Sequence, residues 1–187
     1  MGSALLNSWV RKTSFSISVI DPNNYMNLKK KYINKITIYK TFQEIKKVEE
    51  FKIIIFAVKP QIAKEVVSQF NFLSNKQILF LSIVAGKKIN FFAKYLNHPH
   101  QIIRAMPNLP ALVEKGMTCF ISNKMTTKKN KNIAEELFVS VGITIWLKKE
   151  SDIDKVTAIS GSGPAYFFLF IEHLISGAIR LRLKPSI

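Results

Sequence analysis

The amino-acid sequence predicts an α/β fold built on a mostly parallel β-sheet. Short runs rich in β-branched and aromatic residues alternate with stretches of helical spacing over residues 1–150. Two of these runs, 52–58 and 78–84, are apolar almost throughout, which is typical of parallel strands covered on both faces. Because strands that alternate with helices form βαβ units with right-handed crossovers, we expect helices on both faces of the sheet.

Seven strands are predicted where such runs end at turn residues. They cover residues 15–20, 36–39, 52–58, 78–84, 101–104, 118–122 and 143–146. The first strand alternates in polarity and meets Asp21-Pro22, a strong turn signal. The third strand is ended by Pro60 and the fourth by Gly86, both of which interrupt regular structure.

Helical spacing of apolar residues predicts four helices in the same region. They cover residues 1–10, 61–70, 89–96 and about 131–141. The character of the chain changes near Glu150, so we expect residues 1–150 to form one domain and residues 151–187 to begin an incomplete helical domain. In this second part, a long helix from Pro164 to about Arg180 is apolar over most of its surface. Such a helix belongs inside a bundle or at a subunit interface.

Composition narrows the possible partners and location. The formal net charge of +16 permits an anionic partner. The lysines are scattered between elements without interleaved stacking aromatics, so we expect no nucleic-acid partner. The single cysteine, Cys119, fits a reducing, cytoplasmic setting, and no apolar run is long enough to span a bilayer. His98 and His100 read as part of a solvated loop, far from His173, so no metal site is expected.

The first residues have the layout that follows the third glycine of a G-x-G-x-x-G loop. Gly2 is followed by a helical pattern and then by a strand. In such a loop the helix N-terminus binds a pyrophosphate through free N–H groups and its positive dipole end. The preceding strand and the first two glycines would lie upstream of residue 1. Asp21, at the end of the next strand, can accept hydrogen bonds from ribose hydroxyls or simply form a turn before proline.

Four further segments are candidates for ligand binding. Residues 57–60 and 83–86 follow the two buried strands, at the carboxyl ends where ligands bind in open sheets, although ordinary turns explain them equally. Asn108 lies in a proline-stiffened segment after a strand, and its side chain suits a carboxamide or a carboxylate; a rigid connector is the alternative. The glycine-rich turn at 160–163 leads into the long helix, where it either binds an anion or only caps the helix.

Read together, these segments resemble the pyrroline-5-carboxylate reductase family. The matching segments, in the family's order and spacing, are Met-Gly-Ser-Ala at 1–4, Ala-Val-Lys-Pro-Gln at 57–61, Ala-Gly at 85–86, Ile-Arg-Ala-Met-Pro-Asn at 103–108, Pro-Ala-Leu-Val at 110–113, Gly-Met-Thr at 116–118, Val-Gly at 141–142 and Ser-Gly-Ser-Gly-Pro-Ala-Tyr at 160–166. The segments at 103–108 and 160–166 are together the most specific part of the resemblance.

The resemblance implies a Rossmann-type domain that binds NADPH or NADH, here lacking its first strand, followed by the start of an all-helical domain through which subunits of a homo-oligomer interlock. It implies hydride transfer to the imine carbon of 1-pyrroline-5-carboxylate, which gives L-proline. The cofactor-binding candidates are Met1, Gly2, Asp21, Asn23, Thr41, Ala57, Val58, Lys59, Pro60, Ile83, Val84 and Ala85. The substrate-pocket candidates are Asn108, Ser160 and Gly161, and no catalytic residue is assigned.

Three departures from the family pattern shape the functional expectation. The first strand with its two glycines, and the later helices with their Ser-Pro-Gly-Gly-Thr-type substrate loop, are not in this sequence, and Leu109 stands where the family usually has threonine. We therefore expect the chain to be inactive on its own. The alternatives are a non-catalytic remnant or interaction module that pairs through helix 164–180, a basic nucleic-acid binder, or another reductase of the same fold. Asp21 favours NADH, whereas the family often uses NADPH.

Overall fold

A computed structural model describes residues 1–75 and 77–184. Its strands are β1 (Ser18–Ile20), β2 (Thr37–Tyr39), β3 (Ile53–Phe56), β4 (Leu79–Ser82), β5 (Gln101–Pro107), β6 (Gly116–Ser122) and β7 (Gly142–Trp146). Its α-helices are α1 (Gly2–Lys12), α2 (Tyr25–Lys31), α3 (Ala63–Ser68), α4 (Ile89–Leu96), α5 (Lys128–Val139), α6 (Ser151–Val156) and α7 (Gly163–Arg180). A π-helical turn, Thr157–Gly161, joins α6 to α7, and short 3₁₀ helices cover Phe42–Glu44, Val48–Glu50 and Leu109–Val113.

The main sheet has five strands in the order β3-β4-β5-β6-β7. Strands β3, β4 and β5 are parallel neighbours, β6 runs antiparallel to β5, and β7 is parallel to β6. The antiparallel step follows from the connection between β5 and β6, which is only the short 3₁₀ helix Leu109–Val113 and its flanking residues. The predicted mostly parallel sheet is confirmed.

A second sheet contains the parallel pair β1 and β2, with Val19 opposite Ile38. Among the described residues, β1 pairs with no other strand, and β3 pairs only with β4. Although β3 is an apolar strand, Ile53, Ile54 and Ile55 remain partly exposed. The two sheets and the half-covered β3 agree with the predicted sheet that lacks its first strand.

Helices cover both faces of the main sheet, because alternate residues of each strand point to opposite sides. On one face, Phe80 and Ile102 join a buried cluster that includes residues of α3 and α4. On the other face, Leu81 and Ile103 join a cluster formed with α1 and α5. The two-layer covering of the sheet is the arrangement predicted from the alternation of strands and helices.

Three local features differ from the predictions. Helix α2 was not predicted, because none of its residues is buried and its sequence therefore has no apolar periodicity. Helix α5 begins at Lys128 because Thr127 caps it, accepting a hydrogen bond from the backbone N–H of Asn130 at 3.2 Å. The prediction of a solvated loop around His100 is wrong, since this ring is buried against Phe80 with centroids 4.7 Å apart, and burial lowers its pKa.

The long helix predicted after Gly163 is confirmed as α7. None of the residues of Gly163–Arg180 is buried, although the helix is rich in aromatic and aliphatic side chains. Phe167 is 70% exposed and Phe170 is 61% exposed. Within the described chain this apolar surface is therefore uncovered. Of the helices that the structure describes, none combines the length and apolarity needed to cross a bilayer.

Candidate active site

The carboxyl ends of β3, β4 and β5 lie at one edge of the sheet, because the three strands are parallel. Phe56 is the register partner of Ser82, so Ala57 and Ile83 leave adjacent strands side by side, about 4.8 Å apart. Ala57 and Ala85 are exposed, and neither has a side chain larger than a methyl group. This edge therefore presents a shallow surface of small side chains, and a cofactor-binding role for residues 57–60 and 83–85 stays a prediction.

The residues around β4 contribute to this surface in different ways. Val84 is 2% exposed and its side chain belongs to the core, so only its backbone can reach a ligand. The backbone N–H of Ile83 donates to the carbonyl of Phe56 at 3.0 Å, which holds the strand ends together. Gly86 has a φ of +70°, a left-handed conformation that favours glycine and turns the chain away from the edge towards α4.

The N-terminus of α1 points into the same region. A Cβ atom on Gly2 would lie 3.4 Å from the Cβ of Ala57, so the start of the helix is packed against the end of β3. The carbonyl of Met1 accepts from the backbone N–H of Ala4 at 2.9 Å, and the first turn has no acidic residue to neutralise the positive end of the helix. These features fit a phosphate group, which helix N-termini bind through free N–H groups.

Two kinds of contact hold α1 in this position. The indole N–H of Trp9 donates to the carbonyl of Leu137 at 2.8 Å in a buried setting. At the exposed end of the helix, Arg11 and Lys12 both pair with Glu114. The hydrogen bond from Lys12, with the nearby charge of Arg11, lowers the pKa of Glu114 below its ordinary value.

The candidates after β1 and β2 lie on the smaller sheet. Asp21 accepts hydrogen bonds from the backbone N–H groups of Asn23 at 3.1 Å and Asn24 at 3.0 Å. It therefore stabilises the turn that follows β1, which is one of the two roles predicted for it. The N–H of Asp21 donates to the carbonyl of Tyr39 at 3.3 Å, which brings the ends of β1 and β2 together. Thr41 donates to Glu44 at 3.4 Å. A ribose or adenine role for Asp21, Asn23 and Thr41 stays a prediction.

The three substrate-pocket candidates lie close together. Asn108 and Ser160 line one open cavity of about 330 Å³, whose other lining residues are Ile159, Gly163, Pro164, Phe167 and Phe168. Gly161 lies behind it, where an added Cβ would be 3.7 Å from the Cε of Met106. The Oδ1 atom of Asn108 accepts from the backbone N–H of Met117 at 2.8 Å, which fixes the side chain against β6.

The pocket and the shallow edge are neighbours in the fold. Ser82 is opposite Arg104 in the β4–β5 ladder. Asn108 therefore lies three residues further along the direction of β5 than the position opposite Ile83. One strand spacing across and three residues along β5 give a separation of about 11 Å. This distance places the cavity next to the shallow edge of the sheet.

Two residues of this region were not among the predicted site residues. Met106 packs against Gly161, and Arg104 is buried beneath α6. Arg104, Met106 and Asn108 are two residues apart along the chain, so they lie on the same face of β5. This spacing is the sequence signal by which Arg104 and Met106 could have been identified. In the described residues, 1–75 and 77–184, no group of three or more His, Cys, Asp or Glu side chains is placed to hold a metal ion.

Comparison with known proteins defines the family. A family model described as pyrroline-5-carboxylate reductase dimerisation matches residues 150–187, which contain α6 and α7. The chain is 36% identical to the pyrroline-5-carboxylate reductase of Pasteurella multocida over 172 residues, 91% of this chain and 62% of the relative. The solved Coxiella burnetii pyrroline-5-carboxylate reductase is similar over 98% of this chain and 68% of its own, with 29% identity and a TM-score of 0.81.

A pyrroline carboxylate reductase structure from Plasmodium falciparum with NADP bound is 31% identical, with a TM-score of 0.78, over 98% of this chain and 67% of its own. The chain belongs to the pyrroline-5-carboxylate reductase family. It spans 62% of the length of the Pasteurella multocida reductase. The match to the reductase dimerisation region begins at residue 150, where the character of the sequence changes.

Proposed function

We propose that the protein serves the NAD(P)H-dependent reduction of 1-pyrroline-5-carboxylate to L-proline, in proline biosynthesis. The observation that carries this proposal is the meeting of two sites at one edge of β3, β4 and β5. The N-terminus of α1 and the shallow surface at Ala57 form one site. The pocket between Asn108 and Ser160 forms the other. Membership of the reductase family indicates the reaction that these two sites would serve, which is hydride transfer from a dinucleotide to a cyclic imine.

The residues of the edge fit a dinucleotide. Gly2 and Met1 would receive the pyrophosphate at the N-terminus of α1, where no acidic side chain opposes it. Ala57 and Ala85 would accept the flat nicotinamide, since their small side chains leave the backbone open to it. When bound, the nicotinamide supplies the hydride for the imine carbon. The chain's own residues bind and orient the two partners and exclude water from between them.

The pocket supplies orientation for the substrate. Because Oδ1 of Asn108 is bonded to the N–H of Met117, the Nδ2 hydrogens are the part of this side chain that remains for a ligand acceptor. Ser160 adds a hydroxyl, and Phe167 and Phe168 add an apolar wall suited to a five-membered ring. A carboxylate on a small apolar ring is the kind of ligand that these groups accommodate.

We propose NADH as the favoured cofactor. Asp21 follows β1, where a carboxylate accepts from ribose hydroxyls and repels the phosphate that distinguishes NADPH. We further propose a homo-oligomer joined through residues 150–187, because the apolar surface of α7 is uncovered in one chain and the family's dimerisation region matches these residues. With a single cysteine, Cys119, buried in the sheet, a cytoplasmic location is part of the same proposal.

The reaction is tested by following NADH and NADPH oxidation with 1-pyrroline-5-carboxylate, using the chain alone and the chain fused to the segments of the Pasteurella multocida relative that lie outside its match to this chain. We expect both proteins to bind the nucleotide and only the fusion to turn over. Gly2→Val should weaken nucleotide binding, because the new side chain would meet Ala57. A folded fusion that binds nucleotide but oxidises none of it would exclude the reductase function.

A second candidate is a non-catalytic module that binds another chain through α7. The uncovered apolar surface of this helix favours it, because contiguous exposed apolar patches mark interaction sites. Stable co-purification of the chain with a different polypeptide, together with no nucleotide binding, would support this candidate over the enzyme.

A further inference from the structure

The most buried charged side chain outside the proposed binding groups is Arg104. It is 2% exposed and lies in the middle of β5, on the same face as Met106 and Asn108. The alternate residues Ile103 and Ala105 belong to the core on the opposite face. The guanidinium therefore lies beneath α6 and the π-helical turn, on the strand that leads to the substrate pocket.

Arg104 has two acidic partners about one helical turn apart, Glu150 just before α6 and Asp154 within it. Its Nη2 atom donates to Oδ1 of Asp154 at 2.9 Å, and its Nη1 atom lies 3.6 Å from Oε1 of Glu150. Within the described residues, Nε and Nη1 have no hydrogen-bond partner. A buried guanidinium with so few partners depends on these two carboxylates, because an uncompensated buried charge is costly.

Glu150 extends this network to the cofactor side. Its Oε1 atom accepts from the backbone N–H of Ile89 at 2.7 Å, at the first residue of α4. Helix α4 follows directly on the turn at Ala85 and Gly86. The carboxylate of Glu150 thus contacts the first residue of α4 on one side and Arg104 on the other. Asp154 connects Arg104 to α6, the helix that leads to the pocket.

Helix α6 has little else to hold it. It is six residues long, and Ile153 is its only buried residue. A helix of this length is not stable by itself. The π-helical turn follows without a break, and the N–H of Ser162 closes it by donating to the carbonyl of Thr157 at 3.0 Å. Ser160 and Gly161 are therefore placed by the docking of α6.

We propose that Arg104 is a positioning residue that holds the substrate-side turn, Thr157–Gly161, at a set distance from the cofactor-side turn at Ala85 and Gly86. It acts through Asp154 and Glu150 and touches neither ligand. Its effect on turnover rests on the proposed reductase function, whereas its effect on the position of the turn does not.

The test compares two substitutions on the same helix. Asp154→Ala removes the partner of Arg104, and Asp152→Ala is the matched control, because Asp152 pairs only with the exposed Lys155 at 3.0 Å. By amide hydrogen exchange of the whole chain, we expect at least tenfold faster exchange at Ser162 in the first variant and no change in the second. Equal exchange in the two variants would overturn the proposal.

Turnover provides a second readout in the fusion described above. We expect Asp154→Ala to lower kcat at least tenfold without changing the Kd for NADH. The urea midpoint should fall as well, because the buried guanidinium of Arg104 loses a partner. A Kd for NADH that weakens in step with kcat, or unchanged kcat with faster exchange, would show that Arg104 has only a structural role and would overturn the proposal. If the unsubstituted fusion does not turn over, the reductase function fails, and the exchange comparison alone decides whether Arg104 positions the turn.

Discussion

Substitution of Asn108 separates its structural role from its ligand-binding role. The N–H of Met117 donates to Oδ1 of Asn108 at 2.8 Å in a partly buried setting, and Asn108→Ala removes this acceptor. Leaving such a donor unsatisfied costs about 1–3 kcal/mol. For a chain of this size that corresponds to a fall in Tm of about 2–12 °C. Asn108→Asp keeps an oxygen in place, and the charge-assisted bond should hold the stability within about 0.5 kcal/mol of the unsubstituted protein.

Urea denaturation, followed by the fluorescence of Trp9 and Trp146, measures both variants, and hydrogen exchange at Met117 reports the bond directly. In the fusion assay, Asn108→Asp replaces the Nδ2 donor by a negative charge, so we expect kcat/KM to fall about 10- to 150-fold, the equivalent of a lost hydrogen bond to a charged group. Equal destabilisation by the two substitutions would refute the structural reasoning, and an undiminished kcat/KM in Asn108→Asp would refute the donor role.

Three further substitutions test other parts of the site. Trp9→Phe removes one of two donors to the carbonyl of Leu137, which keeps the hydroxyl of Ser140 at 2.6 Å, so urea denaturation should show a loss of about 0.5–1.5 kcal/mol; an unchanged midpoint would contradict this. Asp21→Asn removes a charge that repels the NADPH phosphate, and fluorescence titration should show the NADPH-to-NADH affinity ratio rising about tenfold; a constant ratio would exclude this role. The pKa of Glu114 is lowered by its hydrogen bond from Lys12, so its stabilisation is present above the ordinary value of 4.5 and is lost as pH falls through the lowered pKa. Glu114→Gln should therefore destabilise the protein in urea at pH 7, and progressively less as the pH is lowered below 4.5; an effect that does not change with pH would contradict the ion-pair explanation.

Local patterns were sufficient for the elements with buried faces. The apolar runs at 52–58 and 78–84 became β3 and β4, and the helical spacing at 89–96 became α4 with the same bounds. Burial imposes these patterns on the sequence, so they can be recognised without a structure. Helix α2 escaped prediction because burial imposes nothing on a solvent-exposed element. Strand β5 continues to Pro107, three residues beyond the prediction, because its last residues pair with β6.

The candidate site divides in the same way. Its segments could be identified because glycines and prolines at strand ends and helix starts have local backbone reasons to occur there. Their mutual positions could not be identified, since the packing of Gly2 against Ala57 joins residues 55 positions apart in the chain. Likewise, Asn108 and Ser160 share a pocket only because α6 docks on β5.

The sequence by itself determined the α/β class, most of the strands and helices that have buried faces, and the family resemblance. It also supplied the candidate ligand-binding segments. The tertiary structure alone decided that the sheet is in two pieces, that β6 is antiparallel, and that Asn108 uses its oxygen for Met117. It also decided that Arg104 is buried between two carboxylates, although an arginine in isolation is expected at the surface. The physical reason is that periodicity records whether a side chain is buried, whereas hydrogen bonds and ion pairs depend on which distant segments the fold brings into contact.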